Sequence, residues 1–549
     1  MQTSLLSWLI FLPTIGAGLI LLLPNSKPKT IRYTAFAFTA ATFLLSLLAA
    51  CSFNWSLGGT YGDNVQFKQD VVWISSLNVH YFLGVDGLSM PLVLLTTAVS
   101  VFACLASFSI EKNIKGYFAL FLFLITGMLG VFTSLDLLLF YVFFEVSLFP
   151  MYFLIGIWGG PRKEYAAIKF FLYTLLGSVG LLIVIVGLYF FTSTVKDPAT
   201  GALAYKNGCF NLVTLSTDPN IRALFDPAKS QSHAAAVIGG LTPLAFAGIA
   251  FWLLFVGFAV KVPSVPFHTW LPDAHVEAPT PISMILAAVL LKMGGYGFLR
   301  ISYPLFPNQA ADNWFWVAAI GVISILYGAF CAMAQKDFKK MVAYSSISHM
   351  GYVLLGIAVM TDAGINGAMF QMVAHGISSA MMFFIVGVIY DRAHHRDINR
   401  LGGLWLQMPG YTGWAVVGFF ASLGLPGLCG FVGELLVLMG VFSAASPTNP
   451  SVIMAHGATT HQIIFFGVLA AFAVIFTAAY LLWTLQRVYM GQPRPEYSHF
   501  SKVSGREYLI LSSFAVAAII WGILPGMLLL NPIRPTMSGL LDLLKLTHS

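Results

Sequence analysis

Apolar runs of about 20 residues, the length a helix needs to cross a bilayer, recur along this sequence with little between them. Fourteen such runs are read, at roughly 4–23, 31–52, 88–108, 116–134, 137–157, 166–192, 241–262, 280–302, 313–334, 340–360, 366–390, 411–445, 463–486 and 508–530. They are apolar all round and longer than the ~10-residue alternating segments of a membrane β-barrel, so the fold expected is all-α and polytopic. Composition agrees. Hydrophobic residues make up 58% and charged residues 9%, against about 25% charge in a soluble domain. That leaves too little polar surface for several soluble globules, and no room for a large soluble catalytic domain.

The net charge of +7 points to loop asymmetry rather than to nucleic acid, because cytoplasmic loops carry an excess of Lys and Arg. Lys27, Lys29 and Arg32 follow the first run, so that run is not a cleaved signal peptide and the first loop is placed inside. With fourteen spans, 17 basic residues fall on inner loops and 8 on outer segments, which puts both termini outside. The chain divides into an N-terminal three-helix segment (1–115, with outer loop 53–87), two five-helix units (116–302, with outer loop 193–240, and 303–487), and a final segment (488–549). Only about 19 residues follow the last span, too few for a long C-terminal amphipathic arm.

No two of the five cysteines are close and no CxxC occurs, which argues against an iron–sulfur or zinc site here. No Walker loop is present, and no GxGxxG in a nucleotide-binding context.

Most charges lie in loops or near span ends. The exceptions carry the functional reading: Glu145 and Glu434, with Lys261, Lys292 and, near the inner end of span six, Lys169. A charge at mid-membrane costs about 3 kcal/mol even on insertion scales, and the default explanation is an ion or proton path. A Glu145–Lys261 pair that merely locks helices is the bland alternative, but a packed apolar contact would do that better. Lys169 can instead snorkel to the surface. Two spans are also broken. Lys261 is followed by Pro263 and Pro266, and span twelve contains Gly424-Leu-Pro-Gly shortly before Glu434. Such breaks survive in a membrane only where protein or water satisfies the freed backbone, and paired broken helices mark a transporter's site. Span seven is fourth in the set four to eight and span twelve fourth in nine to thirteen, which implies two inverted five-helix repeats. His349 on span ten and His375 on span eleven supply groups that titrate near neutral pH. Simple hydrogen bonding within the bundle, or a bis-histidine haem, are the competing readings.

The run Val262-Pro-Ser-Val-Pro-Phe-His-Thr-Trp-Leu-Pro-Asp-Ala-His-Val-Glu-Ala-Pro-Thr, followed by Leu291-Lys-Met-Gly-Gly-Tyr-Gly, closely resembles the central signature of the antiporter-like subunits of respiratory complex I, relatives of the Mrp-type cation/proton antiporters. Gly84-Val-Asp-Gly-Leu-Ser, Ala343-Tyr-Ser-Ser-Ile-Ser-His-Met-Gly, Gly424-Leu-Pro-Gly and the surroundings of Glu145 also resemble family motifs. Glu434, where related subunits usually carry lysine, and the short C-terminus resemble the M-type subunit. The 193–240 loop looks longer than usual for that type.

The resemblance implies proton translocation coupled to NADH:quinone electron transfer in other subunits. It assigns Glu145 and Lys261 as the coupling pair, Lys292 as the central relay, His349 and His375 as the onward axis, and Glu434 as the group facing the exit side. It implies no cofactor in this chain, with FMN, iron–sulfur clusters and quinone in partner subunits, flanking L-type and N-type subunits, and an energy-transducing membrane. Length favours a bacterial inner membrane. The rival readings are an Mrp-type antiporter or related hydrogenase membrane subunit, a haem- or quinone-binding redox subunit, and a structural scaffold.

Overall fold

The computed structural model describes residues 4–197, 200–227, 237–446, 451–497 and 500–545. Among these, thirteen helices are long and apolar enough to cross a membrane. Span twelve falls outside that count because it is split into Pro409–Leu423 and Cys429–Ala444, each shorter than a ~30 Å hydrocarbon layer at 1.5 Å per residue. Joined across their break, the halves make the fourteenth expected span. Helix ends mostly lie within a few residues of those read from the apolar runs.

The last span differs. It ends at Ile523 rather than near 530, because Pro525 disfavours helix in the residue before it. The chain breaks at Leu524, and helix resumes through a π-turn at Gly526–Leu530 into a final helix, Asn531–Lys545. Ile533, Met537, Leu540, Leu541 and Leu544 are buried along one face of that helix, at the spacing of an amphipathic stripe. The expected loop 53–87 is not wholly irregular either. Gln66–Ile74 pairs antiparallel with Val79–Val85, and Asn78 takes the left-handed turn position that asparagine tolerates. In the 193–240 loop, Asn211 and Asp218 cap two short helices, Leu212–Thr217 and Pro219–Phe225. Leu137 N donates to Phe210 O and Leu212 N to Leu135 O, stitching the loop to the start of span five. Residues 228–236 of that loop lie outside the described residues.

The C-terminal helix and loop 53–87 lie at the same end of the bundle, with Gly539 against Gly59 and Tyr61. We call this the hairpin end. Lys339, Arg396 and Arg162 mark the opposite, basic end.

Spans eight (Thr280–Leu305) and eleven (Asp362–Ala393) are buried throughout their apolar windows, and span ten (Phe338–Ala358) nearly so. These three form the axis of the molecule. Spans two (Pro28–Ser52) and fourteen (Gly505–Ile523) lie on the rim. Glycines permit close approach along the axis: a Cβ on Gly433 would lie 2.2 Å from Gln371 Oε1, and one on Gly440 would lie 2.3 Å from Gly364 N. Span twelve therefore packs backbone-close on span eleven.

Both expected breaks are present. Span seven's first helix, Pro243–Lys261, ends on the lysine itself. Trp270 Nε1 donates to Val260 O and Val265 N to Ser324 Oγ before helix resumes at Trp270–Glu277. These bonds satisfy some of the backbone groups the break frees. At the second break Gly424 has φ +78°, and Leu425 N donates to Phe420 O.

Span eight holds a feature absent from the sequence reading. It is α-helical from Thr280, passes through a π-turn at Leu286–Leu290, returns to α over Leu291–Gly297, and passes through a second π-turn at Phe298–Ser302. π-turns within α-helices recur at functional sites.

Candidate functional site

Lys292 stands two residues after the first π-turn of span eight and is 0% exposed. A π-turn disturbs the i→i−4 ladder and can leave a carbonyl free, and the lysine's Nζ donates to Ala287 O at 2.7 Å. Its other contact is His375 Nδ1 on span eleven, at 2.6 Å. His375 Nε2 is buried with no protein partner. The His375 ring lies 5.7 Å, centre to centre, from His349 on span ten. His349 Nδ1 donates to Glu434 Oε1 at 2.9 Å, and its Nε2 also has no protein partner. Four of the expected residues thus form a buried line, Lys292–His375–His349–Glu434, across spans eight, eleven, ten and twelve. The line is hydrogen-bonded at both ends, and each of its two imidazoles keeps a buried Nε2 without a protein partner.

Glu434 reaches that position because the span-twelve break is tight. A Cβ on Gly424 would lie 3.1 Å from Glu434 Oε2, so the glycine clears space beside the carboxylate. On the other side, Gly294 lets span eight approach the end of span seven, where a Cβ would meet Phe258 O at 2.7 Å.

Lys261 is 1% exposed and its Nζ has no hydrogen-bond partner. It sits over the ring of Phe144 at 4.7 Å, a cation–π position, and within electrostatic reach of Glu145, the next residue. The expected Glu145–Lys261 pair is therefore close but not in ion-pair contact. Glu145 Oε1 is buried without a partner. Lys169 is partly exposed and ion-paired. It binds Asp273 Oδ2 at 2.8 Å, with its side chain 19% exposed.

Sequence reasoning missed several charged groups. His275 is fully buried, stacked on Phe383 at 4.2 Å, with both ring nitrogens unpartnered. It lies within electrostatic reach of Lys292 and of Lys339. Lys339 donates to Ala278 O and faces a cavity of about 180 Å³ at the basic end, lined also by Glu277, Tyr390 and Arg396. At the hairpin end Arg300 is 2% exposed and binds Asp86 Oδ1 at 2.6 Å. Arg300 and Lys339 lie near span ends, where charge is ordinary, and Asp86, His275 and Glu277 stand inside the quoted motifs without being set apart there by an apolar run. Among the described residues, no group of three or more His, Cys, Asp or Glu is arranged to hold a metal ion.

Residues 134–217 and 241–460 match the family described as NADH:quinone oxidoreductase/Mrp antiporter, TM. The chain belongs to that family. It is 39% identical to "NADH-quinone oxidoreductase subunit M" of Rhodobacter capsulatus, covering 98% of this chain and 96% of the relative. It is 37% identical to "NADH-ubiquinone oxidoreductase chain 4" of Chondrus crispus, covering 97% of each. Among solved structures, a chain of respiratory complex I from Thermus thermophilus with bound NADH superposes with TM-score 0.78 at 27% identity, covering 99% of this chain and all of that one. A chain of the Mrp complex from Dietzia sp. DQ12-45-1b shares the fold, with TM-score 0.76 at 24% identity, and this chain covers 52% of it.

Proposed function

We propose that this chain is the proton-translocating, M-type membrane-arm subunit of respiratory complex I, coupling NADH:quinone electron transfer in other subunits to proton movement through its own buried side chains. The observation that carries the mechanism is the Lys292–His375–His349–Glu434 line. Each member can gain and lose a proton, and a water between the two free imidazole nitrogens would join its halves.

Lys261 and Glu145 act as the switch. Burial disfavours the charged form of a lysine and a nearby carboxylate favours it. Drawing Glu145 away weakens the hold of Lys261 on its proton, which passes toward Lys292, and the proton Lys292 already holds moves on to His375. Glu434 receives it at the far end. In this orientation the hairpin end faces outward and the basic end inward, with both termini outside, and spans four to eight and nine to thirteen are inverted repeats. The cavity at Glu277 and Lys339, with His275 beyond it, supplies protons from the inner side. The subunit stands between L-type and N-type neighbours in an energy-transducing membrane. FMN, iron–sulfur clusters and quinone belong to partner subunits.

The test is Lys261→Ala in the assembled complex, reconstituted into vesicles. The expected outcome is an intact complex whose proton pumping is nearly abolished. Normal pumping overturns the reading.

A further inference from the structure

The proposed relay turns sideways at Lys292, from span eight to His375 on span eleven. Nothing in the relay itself explains why the proton does not continue along span eight to the hairpin end. Tyr296 and Arg300 follow Lys292 at steps of four residues, so a straight route is laid out over about 12 Å of helix rise.

We infer that Arg300, held by Asp86, Tyr296 and Tyr61, is a proton seal at the hairpin end of span eight that turns the Lys292 proton toward His375. This rests on the relay reading above.

The hydrogen bonds give the reason. A proton hops along a chain only if each member can both accept and donate. The Tyr296 hydroxyl donates to Phe132 O at 3.2 Å and accepts from Arg300 Nε at 3.1 Å, so its proton is committed to a backbone carbonyl. Arg300 has only donors and does not lose its proton in a protein. Its Nη1 donates to Tyr61 and its Nη2 to Asp86. The guanidinium therefore stands between the tyrosine and the carboxylate and can pass a proton to neither. Asp86 is fixed in turn. Its Oδ1 also accepts from Leu88 N and Ser89 N, and Gly87 N donates to Thr536 Oγ1 on the C-terminal helix. Arg300, Asp86, Tyr61 and Tyr296 are each at most 5% exposed, so the barrier lies inside the protein rather than at its surface. A buried ion pair is a poor device for stability alone, whereas a donor-only cation in the path is a barrier that a packed apolar contact would not supply electrostatically.

The experiment uses the whole complex in liposomes, with passive proton influx driven by a potassium diffusion potential and no NADH. The double variant Arg300→Gln with Asp86→Asn keeps the pocket neutral and replaces the barrier by amides. Its passive leak is expected to rise several-fold, because the shorter neutral glutamine admits water where the donor-only cation stood. Adding Lys292→Met to the double variant should abolish the extra leak, because the leak runs through Lys292. An assembled double variant as tight as the parent overturns the seal. Tyr296→Phe gives a separate reading where the double variant does not accumulate. Retained pumping supports the seal, and loss of pumping overturns it by placing Tyr296 on the path. Normal pumping by Lys261→Ala would sink the relay without altering the passive leak, so the two failures are distinguishable.

Discussion

A buried lysine touching a histidine differs from a lysine in an ion pair, because neither partner holds the proton against the other by a fixed opposite charge. This is the arrangement at Lys292 and His375. His375→Gln keeps similar bulk and hydrogen-bonding capacity but cannot take up a proton near neutral pH. Proton translocation per NADH, read with a pH dye in vesicles, is expected to fall about ten-fold or more, with the amount of assembled complex unchanged. Glu145, Lys261, Lys292, His349, His375 and Glu434 were legible in the sequence because an ionisable residue inside an apolar run is an anomaly needing no alignment to notice. Arg300 and Lys339 were not legible, and Asp86, His275 and Glu277 were visible only as members of motifs. The first two stand close to span ends, where charge is ordinary. Their burial comes from segments distant in sequence, such as Tyr61 and the C-terminal helix over the Asp86 turn.

At the scale of elements, the breaks in spans seven and twelve were readable from Pro263, Pro266 and Pro426, since proline removes a helix donor. The π-turns of span eight were not readable, because no residue type marks an extra residue in a turn. Nor was the hairpin, whose strands lie between apolar runs long enough to dominate the reading. Pro525 does mark the end of the last span at Ile523, which the apolar run alone carries on to about 530. The contact of spans eleven and twelve depends on small residues, and Gly433 adjoins Glu434. Gly433→Ala would place a methyl where Gln371 Oε1 and Cα now lie, forcing the helices apart at the point where Glu434 meets His349. Overpacking of this kind costs about 1–3 kcal/mol. The expected outcome is less assembled complex, and pumping reduced beyond that loss, measured as proton flux per assembled unit.

For the whole molecule, the axis of spans eight, ten and eleven keeps its ionisable groups away from lipid, while the rim helices present apolar faces. Charge scarcity was enough to read the class of fold. It could not show that the hairpin end of the axis is closed by a polar cover, because that cover is built from a loop and from a helix that comes after the last span. Removing residues 531–545 would expose Asn64, Gly87 and the buried face of that helix's partners. Complex abundance in the membrane, read by native electrophoresis, is expected to drop markedly even though every span remains. The position of Thr536 has a consequence in time. Asp86 lies near the start of the chain and is made early, yet Gly87 beside it waits for a partner more than four hundred residues later. The hairpin-end cover therefore cannot close during synthesis of the spans. It closes only when the final helix docks, so a partly made chain already contains its charged axis but not the cover that finishes it.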